Sequence, residues 1–327
     1  MSPTSGLSGR RLPGLPESTG LYDPRFEHDA CGVAFVVDIQ GHASHDIVQQ
    51  GLTALQHLRH RGASGDEVNT GDGAGAQIQI PDAFLRRECS AAGINLPPAG
   101  QYGIGMLFLP SDGQDVAPFI DLIRSEVERS GLTVLGWRDV PQDNREIGLS
   151  ARVGEPDIRQ VFIGATAGES NSRALELQLY LARRRIETAA QGAMYIASMS
   201  SQTLVYKGML TADQLPAYYP DLTDPAVESA LILVHQRFST NTFPSWSLAH
   251  PYRYLSHNGE NNTLRGNINW MRAREHLLRS ETFGGELADL LPVIQPGGSD
   301  SAALDNVLEF LVMTARSLPH ALMMLIP

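Results

Sequence analysis

Cysteine is scarce in this chain of 327 residues: Cys31 and Cys89 are the only two. Two thiols cannot build a disulfide framework or a four-cysteine metal site, which suits a reducing compartment. Basic residues are outnumbered, 25 Lys+Arg against 36 Asp+Glu, for a formal net charge of −11. No basic stripe contradicts that total, so nucleic acid is not expected as a partner. No apolar run approaches the ~20 residues that span a bilayer, so no membrane association is expected. Arg10-Arg11 is followed by Leu12-Pro13-Gly14-Leu15-Pro16, which is broken by proline and lacks the apolar segment of an export signal. No internal repeat of fixed period is present. What is there, 42% apolar residues, is enough for one large or two ordinary globular domains, expected to be cytoplasmic and to act on small metabolites.

Residues 1–27 are rich in Ser, Gly and Pro without helical or strand period and read as a loosely held leader. Patterned sequence begins at Cys31. The run over 31–39 is nearly continuous in apolar, β-branched residues and predicts a strand buried on both faces. Asp46 is placed to cap a helix whose apolar residues Ile47, Val48, Leu52, Leu55 and Leu58 follow helical spacing. Further strands are predicted over 76–80, 102–109, 134–137, 161–165, 231–238 and 254–257, with a hairpin over 193–199 and 203–206. Helices are predicted over 81–87, 116–129, 174–188, 270–279 and 301–317, the last stopping short of Pro319. The triplet Arg183-Arg184-Arg185 reads as a solvated helix face. Clustered antiparallel strands with interposed helices favour an α+β fold of stacked layers over a doubly wound parallel sheet. The apolar end over 321–327 lacks a closing cap, and the chain is expected to be part of a longer product.

Several short segments could carry chemistry, and each also has a plainer structural reading. Cys31 is either a buried core cysteine or, if the bond between Ala30 and Cys31 is cleaved, a thiol and an α-amine on one residue. A free α-amine has a pKa near ~8 and can take the thiol proton without a separate histidine. Arg237, at the end of a strand, could hold a carboxylate with two parallel hydrogen bonds or form a structural ion pair. Asn258-Gly259 is a turn, or a pair of donors aimed at an oxyanion. Asp300 caps a helix or holds a ligand ammonium group. The glycines over 71–75 lack the dinucleotide fingerprint and the P-loop lysine. His42, His45, His57 and His60 have metal-like spacing without a third ligand and read as surface residues, so no metal is expected.

Taken in order, HDACGVAF, HRGASGDE, TGDGAGAQIQIP, QRFSTNTFPSW, HNGENNTLRGN and GGSDSA resemble the amidotransferase region of the glutamate synthase large subunit, a class II glutamine amidotransferase. The resemblance runs from Cys31 to the C-terminus. It implies a four-layer αββα N-terminal-nucleophile hydrolase sandwich over 31–327, continuing beyond residue 327 in the family, with residues 1–30 as a propeptide. By the same resemblance Cys31 is the nucleophile, and Asn258 and Gly259 form the oxyanion hole. Arg237 holds the glutamine α-carboxylate and Asp300 its α-ammonium, Arg61 supports the active cysteine, and Thr240 and His250 contact the ligand. Ala34 and Asn261 depart from the glycine and the aliphatic residue expected at those positions. The implied reaction is hydrolysis of L-glutamine. The ammonia would pass to a downstream synthase domain carrying flavin mononucleotide (FMN) and an iron–sulfur cluster, served by an NAD(P)H-oxidising small subunit; no cofactor is expected in this chain itself. Two alternatives stand beside it: an unprocessed fragment that binds glutamine or docks on a synthase partner without turnover, and a class II amidotransferase serving a different acceptor.

Overall fold

The computed structural model of the chain describes Gly20 and residues 32–64, 67–111, 115–165, 172–237 and 243–326. The leader expected over 1–30, apart from Gly20, lies outside the described residues, as do Cys31 and Thr240. Residues from Gly32 onward form one compact unit.

That unit is an α+β sandwich. The first sheet has the order β1 (Val33–Val37), β8 (Leu231–Gln236), β2 (Ala74–Gln79), β7 (Thr203–Gly208), and the second β4 (Leu132–Asp139), β5 (Asp157–Ala165), β3 (Tyr102–Leu109), β6 (Tyr195–Ser200). All the pairings are antiparallel. Helix α1 (His45–His57) packs on β1 and β8. Gly51 makes that approach possible, because a Cβ there would lie 2.2 Å from the Ile232 side chain. Short α2 (Asp82–Ala91) buries Phe84, Leu85 and Cys89, and α4 (Leu149–Val153) and α6 (Gln214–Tyr218) are five residues each. On the second sheet, α3 (Ala117–Arg129) and α5 (Ser172–Ala190) cover Leu107, Leu109, Val161 and Ile163 with Ile123, Val127, Leu175, Leu179 and Ile186. A further apolar cluster takes residues from both sheets, including Ala76, Ile78 and Tyr206 with Met106, Phe108 and Phe162. Helix, sheet, sheet and helix thus follow one another, as the resemblance implied.

Several local expectations are corrected. Among the described residues the strand after Gly32 is an edge strand paired only with β8, and it leaves Phe35 67% exposed, so it is not buried on both faces. Ser44, not Asp46, caps α1, accepting from the Ile47 N–H at 3.4 Å. The segments 193–199 and 203–206 are not a hairpin: β6 pairs with β3 and β7 with β2, so the short turn between them crosses from one sheet to the other. Residues 254–257 form no strand, because the Tyr254 and Leu255 N–H groups are taken by the Asp305 carboxylate.

The arginine triplet is the largest reversal. Arg183, Arg184 and Arg185 are all buried. Their helix is covered on its far side by Phe283, Leu290, Val293, Phe310 and Met313, which pack on Tyr180 and Leu181. The cations are met by acids and carbonyls: Arg183 by Glu187 at 2.7 Å and Glu309 at 2.5 Å, Arg184 by the Leu290 and Pro292 carbonyls, and Arg185 by Glu286 and Asp289.

The C-terminal part contains α7 (Leu264–Glu275), α8 (Asp300–Met313) and α9 (Leu318–Leu325). Helix α8 stops short of Pro319 as expected but ends at Met313 and not at 317, and Pro319 sits in the first turn of α9, where its missing N–H costs nothing. Among the described residues no helix is long and apolar enough to cross a membrane.

Candidate active site

The candidate site is assembled where β8 ends. Gly32 and Gln236 are joined by a backbone bond, the Gln236 N–H donating to the Gly32 carbonyl at 2.7 Å. A Cβ on residue 32 would lie 2.3 Å from the Gln236 carbonyl oxygen and 2.7 Å from Asn258 Nδ2. Only glycine fits between them. Cys31 itself is outside the described residues, but its covalent neighbour is therefore pressed against the Asn258 carboxamide.

Arg237 follows directly. Its N–H donates to the Gly73 carbonyl at 2.8 Å, and its carbonyl accepts from Ala63, just beyond the 3-10 turn Arg59–Arg61. That bond brings half-buried Arg61 to the same end of the sheet. Arg237 is 7% exposed. Burial lowers its pKa, and Tyr252, Asp72 and Asp300 oppose the shift. The guanidinium and the Asp300 carboxylate thus share one electrostatic neighbourhood.

Asp300 is the first residue of α8 but not its cap. Ser299 caps the helix, accepting from Ala302 N at 3.2 Å. Asp300 instead accepts from the Asn261 N–H through Oδ2 and from the Ser301 N–H through Oδ1, both at 2.7 Å. Asn261, one of the two departures from the family pattern, therefore ties the segment after Gly259 to Asp300. Longer contacts from Asn261 Nδ2 to Oδ2 at 3.4 Å and from Ser301 Oγ to Oδ1 at 3.3 Å add to its partners within the chain. Asn258 and Gly259 themselves lie on an exposed loop.

His250 is buried, 4% exposed, with its ring stacked on His235 at 4.4 Å and tilted against Tyr252 at 4.4 Å. Burial pushes its pKa well below the usual range. The His235 pKa falls to about 4, again chiefly through burial, with Asn258 and the His257 backbone opposing the shift. Both rings are therefore neutral near neutral pH.

Three residues around the site carry no role in the motif reading. Lys207 is fully buried with its pKa well below the ordinary lysine value, mainly through desolvation. It donates to Tyr195 Oη and to the Ser247 and Ala249 carbonyls, fixing the segment that leads into His250. A lone lysine in the apolar run TLVYKG was the signal available for it. Ser301 Oγ meets His257 Nδ1 at 3.1 Å. Asp305, fully buried, meets the backbone at Tyr254 and Leu255.

Among the described residues no group of three His, Cys, Asp or Glu side chains could hold a metal ion. Cys89 lies in the core, its thiol pushed up to about 11 by burial. Neither observation fits an iron–sulfur cluster on these residues.

Residues 31–327 match the family model for glutamine amidotransferases of class II. The chain is 51% identical over 316 residues to the glutamate synthase [NADPH] large chain of Bacillus subtilis (strain 168), an alignment covering 96% of this chain and 21% of that one. It is 44% identical over 329 residues to the glutamate synthase [NADH] of Saccharomyces cerevisiae, covering 96% and 15%. With the ferredoxin-dependent glutamate synthase 2, chloroplastic, of Arabidopsis thaliana it is 40% identical over 317 residues, covering 95% and 19%. The chain thus spans about a fifth or less of the length of these relatives. On the match over nearly all of its described residues, this chain belongs to the class II glutamine amidotransferases.

Proposed function

We propose that this chain hydrolyses the side-chain amide of L-glutamine to glutamate and ammonia through a thioester on Cys31, as the amidotransferase part of a glutamate synthase. The observation that carries the reading is the convergence at the end of β8. Gly32, Arg237, Asn258 and Asp300, distant in sequence, belong to one corner of the fold and comprise two polar anchors, one carboxamide and the neighbour of a thiol.

The chemistry follows from the residue types. Arg237 takes the α-carboxylate of glutamine and Asp300 its α-ammonium, which leaves the side-chain amide to reach residue 31. Removal of residues 1–30 exposes the α-amine of Cys31, and with a pKa near ~8 a useful fraction is neutral base. It accepts the thiol proton as sulfur attacks the amide carbon. The oxyanion is met by Asn258 Nδ2 and the Gly259 N–H, each donor of this kind being worth ~3 to 4 kcal/mol in the transition state. The resulting α-ammonium returns the proton to the departing nitrogen, ammonia leaves, and a thioester remains. Water, deprotonated by the same amine, attacks the thioester and releases glutamate. Arg61, Thr240 and His250 are assigned supporting contacts on family resemblance. The buried stack of His235 and His250 supplies a wall that remains uncharged.

In the whole protein the ammonia would meet 2-oxoglutarate in a synthase domain outside these residues, with FMN, an iron–sulfur cluster and an NAD(P)H-oxidising subunit. The relatives' names, glutamate synthase [NADPH] large chain and glutamate synthase [NADH], support the glutamate synthase part of that reading.

The test is intact-mass analysis of purified protein beside an ammonia-release assay. A mass beginning at Cys31, glutamine turnover, and its loss in Cys31→Ala are expected. Turnover by chain that retains Met1, or by the alanine variant, would refute the amine-assisted mechanism.

A further inference from the structure

From Tyr252 to Gly259, the backbone of the segment that carries Asn258 and Gly259 belongs to no regular element. Its position is set by side chains of its neighbours: Gln77 of β2 donates to the Arg253 carbonyl at 2.9 Å, and further ties come from α8 and its cap. The Tyr252 hydroxyl meets Ser299 Oγ at 2.9 Å, His257 Nδ1 meets Ser301 Oγ at 3.1 Å, and the Asn261 N–H donates to Asp300 at 2.7 Å. The tie to Asp305 is the deepest. Asp305 Oδ1 accepts from the Tyr254 N–H at 2.8 Å and from the Leu255 N–H at 3.2 Å.

Asp305 is fully buried and is not held there by a close ion pair. Arg253, the nearest cation, stands 3.8 Å from Oδ2, while its own short contacts go to Glu187 and the Ile196 carbonyl, each at 2.6 Å. Burying a carboxylate is costly unless it satisfies donors that would otherwise be stranded. Here one oxygen satisfies two successive backbone N–H groups and thereby fixes a peptide plane three to four residues before the candidate oxyanion donors. An error of ~1 Å at a reacting centre can cost about a hundredfold in rate, so a residue controlling that plane controls catalysis without touching substrate.

We propose that Asp305 is a positioning residue: its side-chain acceptor holds the 254–255 backbone so that Asn258 and Gly259 meet the oxyanion. This rests on the function proposed above and adds to it a residue that no motif in the sequence marks.

The test compares the full chain, processed to Cys31, with Asp305→Ala and Asp305→Asn. Each is assayed for glutamine turnover, for the rate of Cys31 alkylation by iodoacetamide, and for folding by circular dichroism. Alkylation is a displacement at an sp3 carbon and builds no oxyanion, so it reads the thiol alone. In Asp305→Ala, kcat should fall by about tenfold or more with less than about threefold change in KM and an unchanged alkylation rate. Asparagine keeps the acceptor oxygen and should restore kcat to within about threefold of the parent. Folded Asp305→Ala with parental kcat, or equal loss of turnover and alkylation, would overturn the positioning role. If the alanine variant does not fold, Asp305→Asn decides: turnover within about threefold supports the role, and a loss of tenfold or more overturns it. Failure of the parent chain to hydrolyse glutamine would instead overturn the function beneath it.

Discussion

Gly32 is the residue where steric and chemical demands coincide. Its missing side chain admits both the Gln236 carbonyl and the Asn258 carboxamide. Gly32→Ala must push one of them away. Overpacking of this kind destabilises by about 1 to 3 kcal/mol, and the softer neighbour, the exposed Asn258 loop, should move first. The expected result is a modest fall in melting temperature with a much larger fall in glutamine turnover; a variant with parental turnover would show that this contact does not govern the donor. Asn258→Ala, which removes the carboxamide without adding bulk, should lower kcat by about 10² to 10³ with little change in KM, read by steady-state kinetics. The residues proposed for the site could be singled out in the sequence because the proposed chemistry restricts them to one or two types: Arg237 for a bidentate carboxylate, Asn-Gly for close donors, Asp300 for a cation. Asp305 and Lys207 could not be. Each does its work on backbone atoms of a remote segment, and an acceptor for two N–H groups or a donor to two carbonyls leaves no spacing pattern in the chain.

At the scale of elements, periodicity identified most helices and strands but not what lay on their far sides. α5 shows the reason. Its apolar stripe packs on the second sheet, and the opposite face, where residues 183–185 fall, has the charge pattern of a solvated one. A second apolar cluster, built from residues around 283–293 and α8, covers that face, so the arginines are interior and meet acids and carbonyls there. Helical period reports which face is apolar and says nothing of a layer added more than 90 residues later. The same limit explains the turn between β6 and β7, where local alternation fits a hairpin and only the tertiary pairing with β2 and β3 separates the strands. The network has an energetic consequence. Removing Arg183 leaves Glu309, 6% exposed at its side chain, without its 2.5 Å partner. Breaking such a buried pair from one side costs about 3 to 5 kcal/mol, whereas replacing both members with apolar groups costs far less. Arg183→Met should therefore lower the urea midpoint strongly, and adding Glu309→Leu should recover part of the loss; purely additive effects of the two changes would show that they are not coupled.

For the molecule as a whole, the uncharged histidine stack makes stability depend on pH in a defined direction. His235 titrates at about 4 in the folded protein, against an ordinary value of 6.5, and His250 also lies well below that value. Between the two limits the unfolded chain binds protons that the folded chain refuses. Stability from these groups is therefore fully present above pH 6.5 and is lost as pH falls toward 4. For His235 alone the difference is on the order of 3 kcal/mol. Asp305 acts in the opposite sense. Burial raises it to about 6 from 3.8, so its contribution declines as pH rises across that window. Two histidines outweigh one carboxylate, and the net slope between pH 4.5 and 6.5 should be positive. Urea unfolding at steps of half a pH unit should show the midpoint rising through this range. His235→Gln keeps a neutral, hydrogen-bonding side chain of similar reach and removes the titration, so its midpoint should rise less steeply while meeting or falling below the parent at pH 7. A parent whose midpoint is flat or falls over the same interval would show that the histidine stack does not outweigh Asp305.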